Sequence, residues 1–306
     1  MEELGASLSE SRAEVAATRA AMAELEERTA ASRAEIAATR TALAELGERT
    51  AAAHQRTMEA LRIVRDNDAA AWQALWRLRD STEYALAFDE DEPLVTVIMP
   101  TYSNWKLMRE RALPAVLAQT YERFECIVVG DAAPPEAAQV VSSFADDRLR
   151  FVNLPYRGPY PDDPHEAWLV SGTTTSNTGL ALARGRWILY SGDDDAVRPD
   201  CIESLLALAR DERAEVPYGR LHMCDPNGDG WTLGVFPPEL GQWGAQCSLL
   251  HAGLRFLPSE PSDWLFGVPN DWSLADRMLR IGVRFAMLGE TVADYYPSRL
   301  WTEEPW

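Results

Sequence analysis

Hydrophobic residues recur at heptad spacing along the first part of the chain. Two sets of apolar residues fall at the two seam positions of the heptad: Leu8, Val15, Met22, Ile36 and Leu43 at one, and Leu4, Leu25 and Leu46 at the other. The pattern repeats, because Ser11 to Ala31 is followed by a near copy from Ser32 to Ala52, three heptads later. Such a pattern predicts a long helix that assembles as a coiled coil.

The same seam also carries small polar residues, which bury little apolar surface and weaken a coil. They are Ser11, Thr18, Thr29, Ser32 and Thr39. The alternative is therefore a single, partly solvated helix that Glu–Arg pairs stabilise. A second amphipathic stretch over 69–86 carries Trp72, Leu75, Trp76 and Leu78, which we expect to pack on a partner helix or on the following domain. We predict a helical region over residues 1–88 that forms a homo-oligomer, with a linker at Phe88–Pro93.

From residue 94 the pattern changes to short β-rich apolar runs that alternate with helical spacing. Strands are predicted over 94–102, 125–131, 149–155 and 187–194. Helices are predicted over 105–121, 134–144, 176–185 and 200–211. A βαβα series indicates an α/β domain, here residues 89–306, with a mainly parallel sheet and helices on both faces.

Composition and motifs exclude several classes of function. The formal net charge of -19 argues against binding to nucleic acid or to anionic membranes. The chain contains no GxGxxG after its first strand, no GxxxxGK[ST] and no GxSxG. It also has no apolar signal core and no apolar run that approaches the ~18 residues of a membrane span. We therefore expect a cytoplasmic protein without a membrane span.

The spacing of cysteines and histidines predicts no zinc site. Cys126, Cys201, Cys224 and Cys247 form no CxxC pair, and the four histidines are scattered along the chain. We expect ordinary reduced thiols.

Polar residues at the predicted strand ends are the candidates for chemistry, because ligands of open α/β sheets bind at that rim. Thr101 and Tyr102 end the first strand, Asp131 the second, and the run Asp193–Asp195 the fourth. Three adjacent carboxylates repel one another, and a hard divalent cation relieves that repulsion. The alternative is an acidic turn before the helix that follows Pro199.

Two further acidic residues allow both a structural and a chemical interpretation. Asp131 is either a cap of the following helix or an acceptor for a nucleotide base or ribose. Near Pro269 another helix opens, where Asn270 or Asp271 suits the N-cap position. Asp271 equally suits a general base held at a helix start.

Four segments together resemble the family 2 glycosyltransferases of GT-A fold. They are VTVIMPTY, CIVVGDA, SNTGLALARGRWILYSGDDDAVRPDCIESLL and PNDWSLADRMLRIGVRF, in this order over roughly 93–300. The resemblance implies a nucleotide-diphosphate sugar donor, a divalent cation (Mn²⁺ or Mg²⁺) and transfer to an acceptor hydroxyl with inversion at the anomeric carbon. The acceptor would be a hydroxyl of a glycan, a lipid or a protein.

The resemblance also assigns roles to individual residues. Pro100, Thr101 and Tyr102 match the segment that touches the nucleotide, and Asp131 matches the contact to base or ribose. Asn177 and Gly179 match the helix beside the diphosphate. Asp194 aligns with the principal metal-ligating aspartate and Asp193 with the residue before it, while Asp271 matches the general base.

The chain departs from the family pattern at several positions. Gly192 stands where many members carry the first aspartate, and Asn270 replaces a common glutamate. A histidine near the domain end is missing, since none follows His251; Asp294 and Tyr295 lie near that point. The segment 157–175 lengthens the loop before Ser176. This loop is a lid, a part of the donor pocket or a segment that only packs on the domain.

Two questions stay open at the level of sequence. Trp231, Trp243 and Trp264 suit either stacking on an acceptor sugar or core packing. The missing first aspartate also leaves a non-catalytic scaffold that binds a nucleotide sugar as the alternative function. A sugar-nucleotide-forming nucleotidyltransferase is disfavoured, because no Gly-rich basic loop follows the first strand.

Overall fold

The computed structural model describes residues 2–225 and 230–296. The chain divides into two compact units, with the boundary between Arg65 and Asp66. The first unit is built on helix α1 (Glu2–Asp66). Its apolar seam side chains from Val15 to Leu46 are at least half exposed, because a single helix cannot bury the side chains on its own surface. Assembly through this seam stays a prediction.

The second unit begins with two short helices, α2 (Asp68–Arg79) and α3 (Thr82–Asp89). They present Leu75, Tyr84 and Phe88 to the core, where all three are buried, and the Trp187 indole donates to the carbonyl of Ala87. The boundary between compact units thus precedes both helices, whereas the sequence placed it at residues 88–89. Of the four large residues predicted to pack, Leu75 is buried and Leu78 partly buried, but both tryptophans of α2 are half exposed.

The strands form two sheets. They are β1 (Val95–Thr101), β2 (Phe124–Gly130), β3 (Leu149–Asn153), β4 (Trp187–Tyr190), β5 (Ala196–Val197), β6 (Val216–Cys224), β7 (Gly230–Leu233), β8 (Leu249–His251) and β9 (Phe285–Tyr295). The main sheet has the order β3-β2-β1-β4-β8, in which the first four strands are parallel and β8 is antiparallel. The predicted α/β class with a mainly parallel sheet is confirmed.

The second sheet has the order β5-β9-β6-β7, with β6 and β9 parallel. None of its strands was identified from the sequence. Its short strand β5 pairs Ala196 with Asp294, so the residues that follow β4 join the end of β9. The second sheet is therefore joined to the main sheet just after the end of β4.

Helices cover both faces of the main sheet. They are α4 (Trp105–Leu107), which continues through the π-helical turn Met108–Ala112 into α5 (Leu113–Leu117), α6 (Pro135–Ser143), α7 (Pro164–Leu169), α8 (Thr173–Leu182), α9 (Cys201–Glu212) and α10 (Asn270–Arg280). Alternate residues of β1 feed two buried clusters, with Val97 and Met99 in one and Ile98 in the other. Burial on both faces explains why the parallel strands are continuous apolar runs.

Helix α8 ends earlier than its sequence pattern predicts. The expected end was Gly185, yet the helix stops at Leu182. The next backbone amides bond to the sheet instead: Arg184 N–H donates to Glu125 Oε1 at 2.9 Å and Gly185 N–H to Thr96 Oγ1 at 2.9 Å. No helix among the described residues is long and apolar enough to cross a bilayer.

Candidate functional site

The ends of β1, β2 and β4 meet at one rim and are tied together there. The Asp131 N–H donates to the Thr101 carbonyl at 2.8 Å, and the Thr101 hydroxyl donates to Asp193 Oδ2 at 2.7 Å. The structure thus brings together three of the positions expected to lie at the rim.

Asp193 is a structural anchor of the rim. It is buried, and its second oxygen accepts a hydrogen bond from the Asn104 amide at 3.1 Å. Burial raises the pKa of this carboxyl, while the hydrogen bonds from Thr101 and Asn104 oppose the rise. With both oxygens occupied, Asp193 holds the end of β4 against the end of β1. Asn104 was not singled out from the sequence, since an Asn in a loop after a strand carries no distinct signal.

Asp195 is a second structural anchor, which bonds to the residue that follows β9 rather than to the end of β1. It is buried, and its Oδ1 accepts the backbone N–H of Tyr296 at 3.0 Å. Burial and the neighbouring Asp194 raise the pKa of this carboxyl well above its ordinary value. A β-carbon at Gly192 would lie 2.6 Å from Asp195 Oδ2. The glycine in the aspartate run therefore leaves room for the side chain three residues later.

Asp194 differs from both neighbours. Within the described part of the chain, no side chain donates a hydrogen bond to its carboxylate, although Arg111 Nη1 donates to its main-chain carbonyl at 2.6 Å. Burial and the adjacent Asp193 raise the pKa of the Asp194 carboxyl to about 6. A desolvated carboxylate beside two others is the environment that a divalent cation stabilises. The residues present therefore fit a hard cation.

Asp131 does not cap the following helix, because Pro134 occupies the N-cap of α6. Its carboxylate instead binds the lengthened loop: Gly158 N–H donates to Oδ1 at 2.8 Å and the Tyr160 hydroxyl to Oδ2 at 2.5 Å. The Arg157 guanidinium lies 3.9 Å from Oδ2 and 3.9 Å from the centre of the Tyr102 ring. The loop therefore folds onto the predicted nucleotide contact.

Asn177 and Gly179 have structural partners in the scaffold. The Asn177 amide donates to the Ser259 carbonyl at 2.8 Å and accepts from its N–H at 3.1 Å, which fixes the segment before α10. A β-carbon at Gly179 would lie 2.4 Å from Ile98 Cγ2, so glycine allows α8 to pack closely on β1. Pro100 stands beside Gly172, where an added β-carbon would lie 3.3 Å away.

Asp271 lies in the first turn of α10, where Pro269 holds the N-cap, so neither Asn270 nor Asp271 has the N-cap role. Asp271 Oδ1 accepts the Trp272 N–H at 2.7 Å, and the backbone of Ala245 lies close to the carboxylate. Burial raises the pKa of the Asp271 carboxyl. The Asn270 amide donates to Thr173 Oγ1 at 2.7 Å, which fastens the helix start to α8.

Asp271 lies close to the turn Ala245–Cys247, which borders the rim of the aspartate run. Ala245 opens this 3-10 turn, which leads into β8, and β8 runs antiparallel to β4. Residues just before β8 therefore lie beside residues just after β4, and this turn contacts β4. Trp243, two residues earlier, is buried in the core, which favours packing over sugar stacking at that position, whereas Trp231 is half exposed.

Comparison with known proteins identifies the scaffold. A sequence profile described as Glycosyl transferase family 2 matches residues 96–160 and 173–252. Among curated proteins, Glycosyltransferase GlyG of Streptococcus pneumoniae is 25% identical over 134 residues, which cover 43% of this chain and 40% of GlyG. The succinoglycan biosynthesis protein ExoO of Rhizobium meliloti is 29% identical over 145 residues, which cover 47% of this chain and 37% of ExoO. The chain thus spans less than half the length of these relatives.

Solved structures agree in fold. Staphylococcus aureus TarS 1-349 in complex with UDP-GlcNAc superposes with a TM-score of 0.54 at 16% identity, over 67% of this chain and 59% of TarS. The mannosyltransferase PcManGT of Pyrobaculum calidifontis, with GDP-Man and Mn²⁺, gives 0.51 at 18% identity, over 78% of this chain and 68% of PcManGT. The fold is that of the GT-A glycosyltransferases, and the chain belongs to glycosyl transferase family 2.

Proposed function

We propose that this chain transfers a sugar from a nucleotide-diphosphate sugar to an acceptor hydroxyl, with inversion at the anomeric carbon. One observation carries the proposal: Asp194 is a desolvated carboxylate to which no described side chain donates a hydrogen bond, at the rim that also holds Asp131 and beside which Asp271 lies. The acceptor belongs to a glycan, a lipid or a protein.

The donor side of the rim suits a nucleotide. Tyr102 and Arg157 form an exposed, stacked aromatic–cation pair beside Asp131, and such a surface binds a flat base and its ribose hydroxyls. Support comes from the two structural neighbours, which bind UDP-GlcNAc and GDP-Man. Because Gly158 and Tyr160 already bond to Asp131, donor binding would share or replace these contacts.

The metal side of the rim suits Mn²⁺ or Mg²⁺. Asp194, supported by the fixed carboxylate of Asp193, would hold the ion, which supplies positive charge against the diphosphate that leaves. Arg111 donates a hydrogen bond to the Asp194 carbonyl and adds a positive charge near the run. The Mn²⁺ bound by PcManGT is consistent with this choice of ion.

Asp271 is the proposed general base. Its raised pKa makes the carboxylate a stronger proton acceptor than an exposed aspartate, which suits removal of the acceptor hydroxyl proton. Attack by that oxygen on the anomeric carbon breaks the bond to the diphosphate on the opposite face. A single displacement of this kind inverts the configuration.

The test is transfer or donor hydrolysis with Mn²⁺, in wild type and in Asp194→Ala and Asp271→Asn. We expect both variants to lose at least about 100-fold in rate, since each removes a group that acts in the transition state. Asp162→Asn, an exposed aspartate in the loop, is the matched control. Near-normal transfer by Asp271→Asn would contradict the role of Asp271 as general base. Activity that a chelator does not change would contradict the proposed metal dependence. Donor binding without transfer across an acceptor panel would favour the scaffold.

Assembly through α1 is the second part of the proposal. The hydroxyls of Thr29, Thr39 and Thr50 on the seam donate to the carbonyl four residues earlier, so their burial leaves no donor without a partner. Sedimentation of the full chain should show an oligomer, and residues 66–306 a monomer. Leu43→Lys on the seam should dissociate the oligomer, whereas Ala38→Lys away from the seam should not. A monomeric full chain would contradict assembly.

A further inference from the structure

Three potential metal ligands converge on the second sheet, outside the aspartate run. The parallel register of β6 and β9 pairs His222 with Asp294 and Met223 with Tyr295. Successive side chains of a strand alternate between faces. Leu221, Met223 and Ala293 point into the buried core, so His222, Cys224 and Asp294 share the opposite face.

The three side chains are close enough to bind one ion. Their ligand atoms, an imidazole nitrogen, a thiol sulfur and a carboxylate oxygen, all lie within 4.8 Å of one another. Bonds of about 2.0–2.3 Å in tetrahedral geometry place zinc ligands roughly 3.5 Å apart, so rotations that move each atom by about 1 Å close the site. His222 and Asp294 are partly exposed, which leaves an entry path.

The ligand set selects the kind of ion. Nitrogen, sulfur and oxygen together suit Zn²⁺, whereas Mg²⁺ and Mn²⁺ favour the all-oxygen surroundings of the aspartate run. Three protein ligands leave the fourth tetrahedral position for a water molecule. Thiol ligation releases the Cys224 proton to solvent.

A neighbouring residue already orients one of the three ligands. Arg198 Nη2 donates to Asp294 Oδ1 at 2.5 Å, which fixes the carboxylate and leaves its other oxygen for a metal. The small side chain of Ala196 stands opposite Asp294. Hydrogen-bonded partners of this kind are what holds the ligands of a metal site in position.

We propose that His222, Cys224 and Asp294 form a zinc site that fastens the end of β9 to β6. The end of β9 is also tied to the aspartate run, since Tyr296 N–H donates to Asp195 and Asp294 pairs with Ala196. The zinc ion therefore stabilises the strand end on which the aspartate run rests. The sequence conceals the site, because two ligands come from β6 and the third lies about 70 residues later on a parallel neighbour.

The test is a Zn²⁺ titration of the metal-free full chain under reducing conditions, by calorimetry and by competition with a chromophoric chelator. We expect one Zn²⁺ per chain in wild type, and at least about tenfold weaker binding in Cys224→Ala and in His222→Gln. Matched controls are Cys201→Ala, a thiol elsewhere in the core, and His165→Gln; both should bind zinc as wild type does. Co²⁺ should give the near-ultraviolet charge-transfer band of a thiolate ligand in wild type but not in Cys224→Ala.

Asp194→Asn separates this site from the aspartate run and from the proposed transfer activity. It should bind zinc as wild type does, whatever its activity. Wild-type zinc affinity in folded His222→Gln or Cys224→Ala would overturn the proposal. So would loss of zinc in Asp194→Asn alone, which would place the ion on the aspartates. If Cys224→Ala does not fold, the partly exposed His222→Gln decides the outcome.

Discussion

The Asp195 carboxylate fills the space beside the α-carbon of Gly192, where a β-carbon would lie 2.6 Å from Oδ2. Asp195 is held in that position by the backbone of Tyr296. The same added β-carbon would lie 3.3 Å from Asp194 Oδ1. Glycine at the first position of the motif is therefore matched to aspartate at its fourth, and the carboxylate absent at 192 has a buried counterpart at 195.

Gly192→Ala should destabilise the fold. The new methyl group forces the buried Asp195 side chain to move, and overpacking of this kind costs about 1–3 kcal/mol. Urea unfolding measures the loss, and Gly192→Asp should lose more because it adds a fourth charge to the run. Gly289→Ala is the matched control, since its added β-carbon meets open space. Equal stability of Gly192→Ala and wild type would show that Asp195 is not fixed in this position.

The sequence was sufficient to place the aspartate run at the rim, because an apolar strand that ends in carboxylates has a clear pattern. It was not sufficient to tell which of the three aspartates are structural and which one is available to a metal ion. The structural roles of Asp193 and Asp195 depend on hydrogen bonds with Thr101, Asn104 and Tyr296, which lie some 90 to 100 residues away along the chain. Contacts of that separation leave no periodic trace in a single sequence.

The docking of α2 and α3 depends on one buried charge. Glu215, which is fully buried, accepts from Arg79 Nε at 2.6 Å and Nη2 at 2.8 Å, and from the Tyr84 hydroxyl at 3.0 Å. Arg79→Met should cost about 3–5 kcal/mol of unfolding free energy, because it leaves a buried carboxylate without its main counter-ion. Arg213→Met, which breaks the exposed pair with Asp89, should cost at most about 1 kcal/mol. Similar losses in the two variants would contradict this role of Glu215.

The strands of the second sheet were not predicted from the sequence, and for β6 the reason is local. Strand β6 contains Pro217 and Gly219, and both residues are depleted in strand interiors. Gly219 is required there, since an added β-carbon would lie 2.5 Å from Val292 Cγ1 on β9. Close packing between β6 and β9 thus requires glycine at position 219, and glycine weakens the sequence pattern of a strand.

Asp131→Ala should release the loop that folds onto it. The variant removes the acceptor of the Gly158 and Tyr160 hydrogen bonds and the partner of Arg157. We expect trypsin to cut after Arg157 several-fold faster than in wild type, as mass spectrometry of the fragments will show. Asp162→Ala, in the same loop, should leave the cleavage rate unchanged. An unchanged rate in Asp131→Ala would mean that other contacts hold the loop.

The stability of the metal-free protein should depend on pH through Asp194. Its carboxyl has a folded pKa of about 6 against an ordinary value of 3.8, so the folded state favours the protonated form. That contribution is fully present below the ordinary pKa and is lost as the pH rises through about 6. Burial of His251 acts in the opposite sense, because it lowers the pKa of the imidazole to about 4 and weakens the fold as the pH falls. Only a comparison with a variant isolates the aspartate.

Asp194→Asn supplies that comparison, because the amide imitates the neutral carboxyl. In chelator, wild type and variant should have similar unfolding free energies at pH 4. The variant should be more stable by about 3 kcal/mol at pH 7, because the carboxyl pKa rises from 3.8 to about 6 and each pKa unit corresponds to about 1.4 kcal/mol. Mn²⁺ should then raise the melting temperature of wild type but not of the variant, because only wild type gains stability by binding the ion. A variant that is less stable than wild type at pH 7 in chelator would show that Asp194 is a structural residue like its two neighbours.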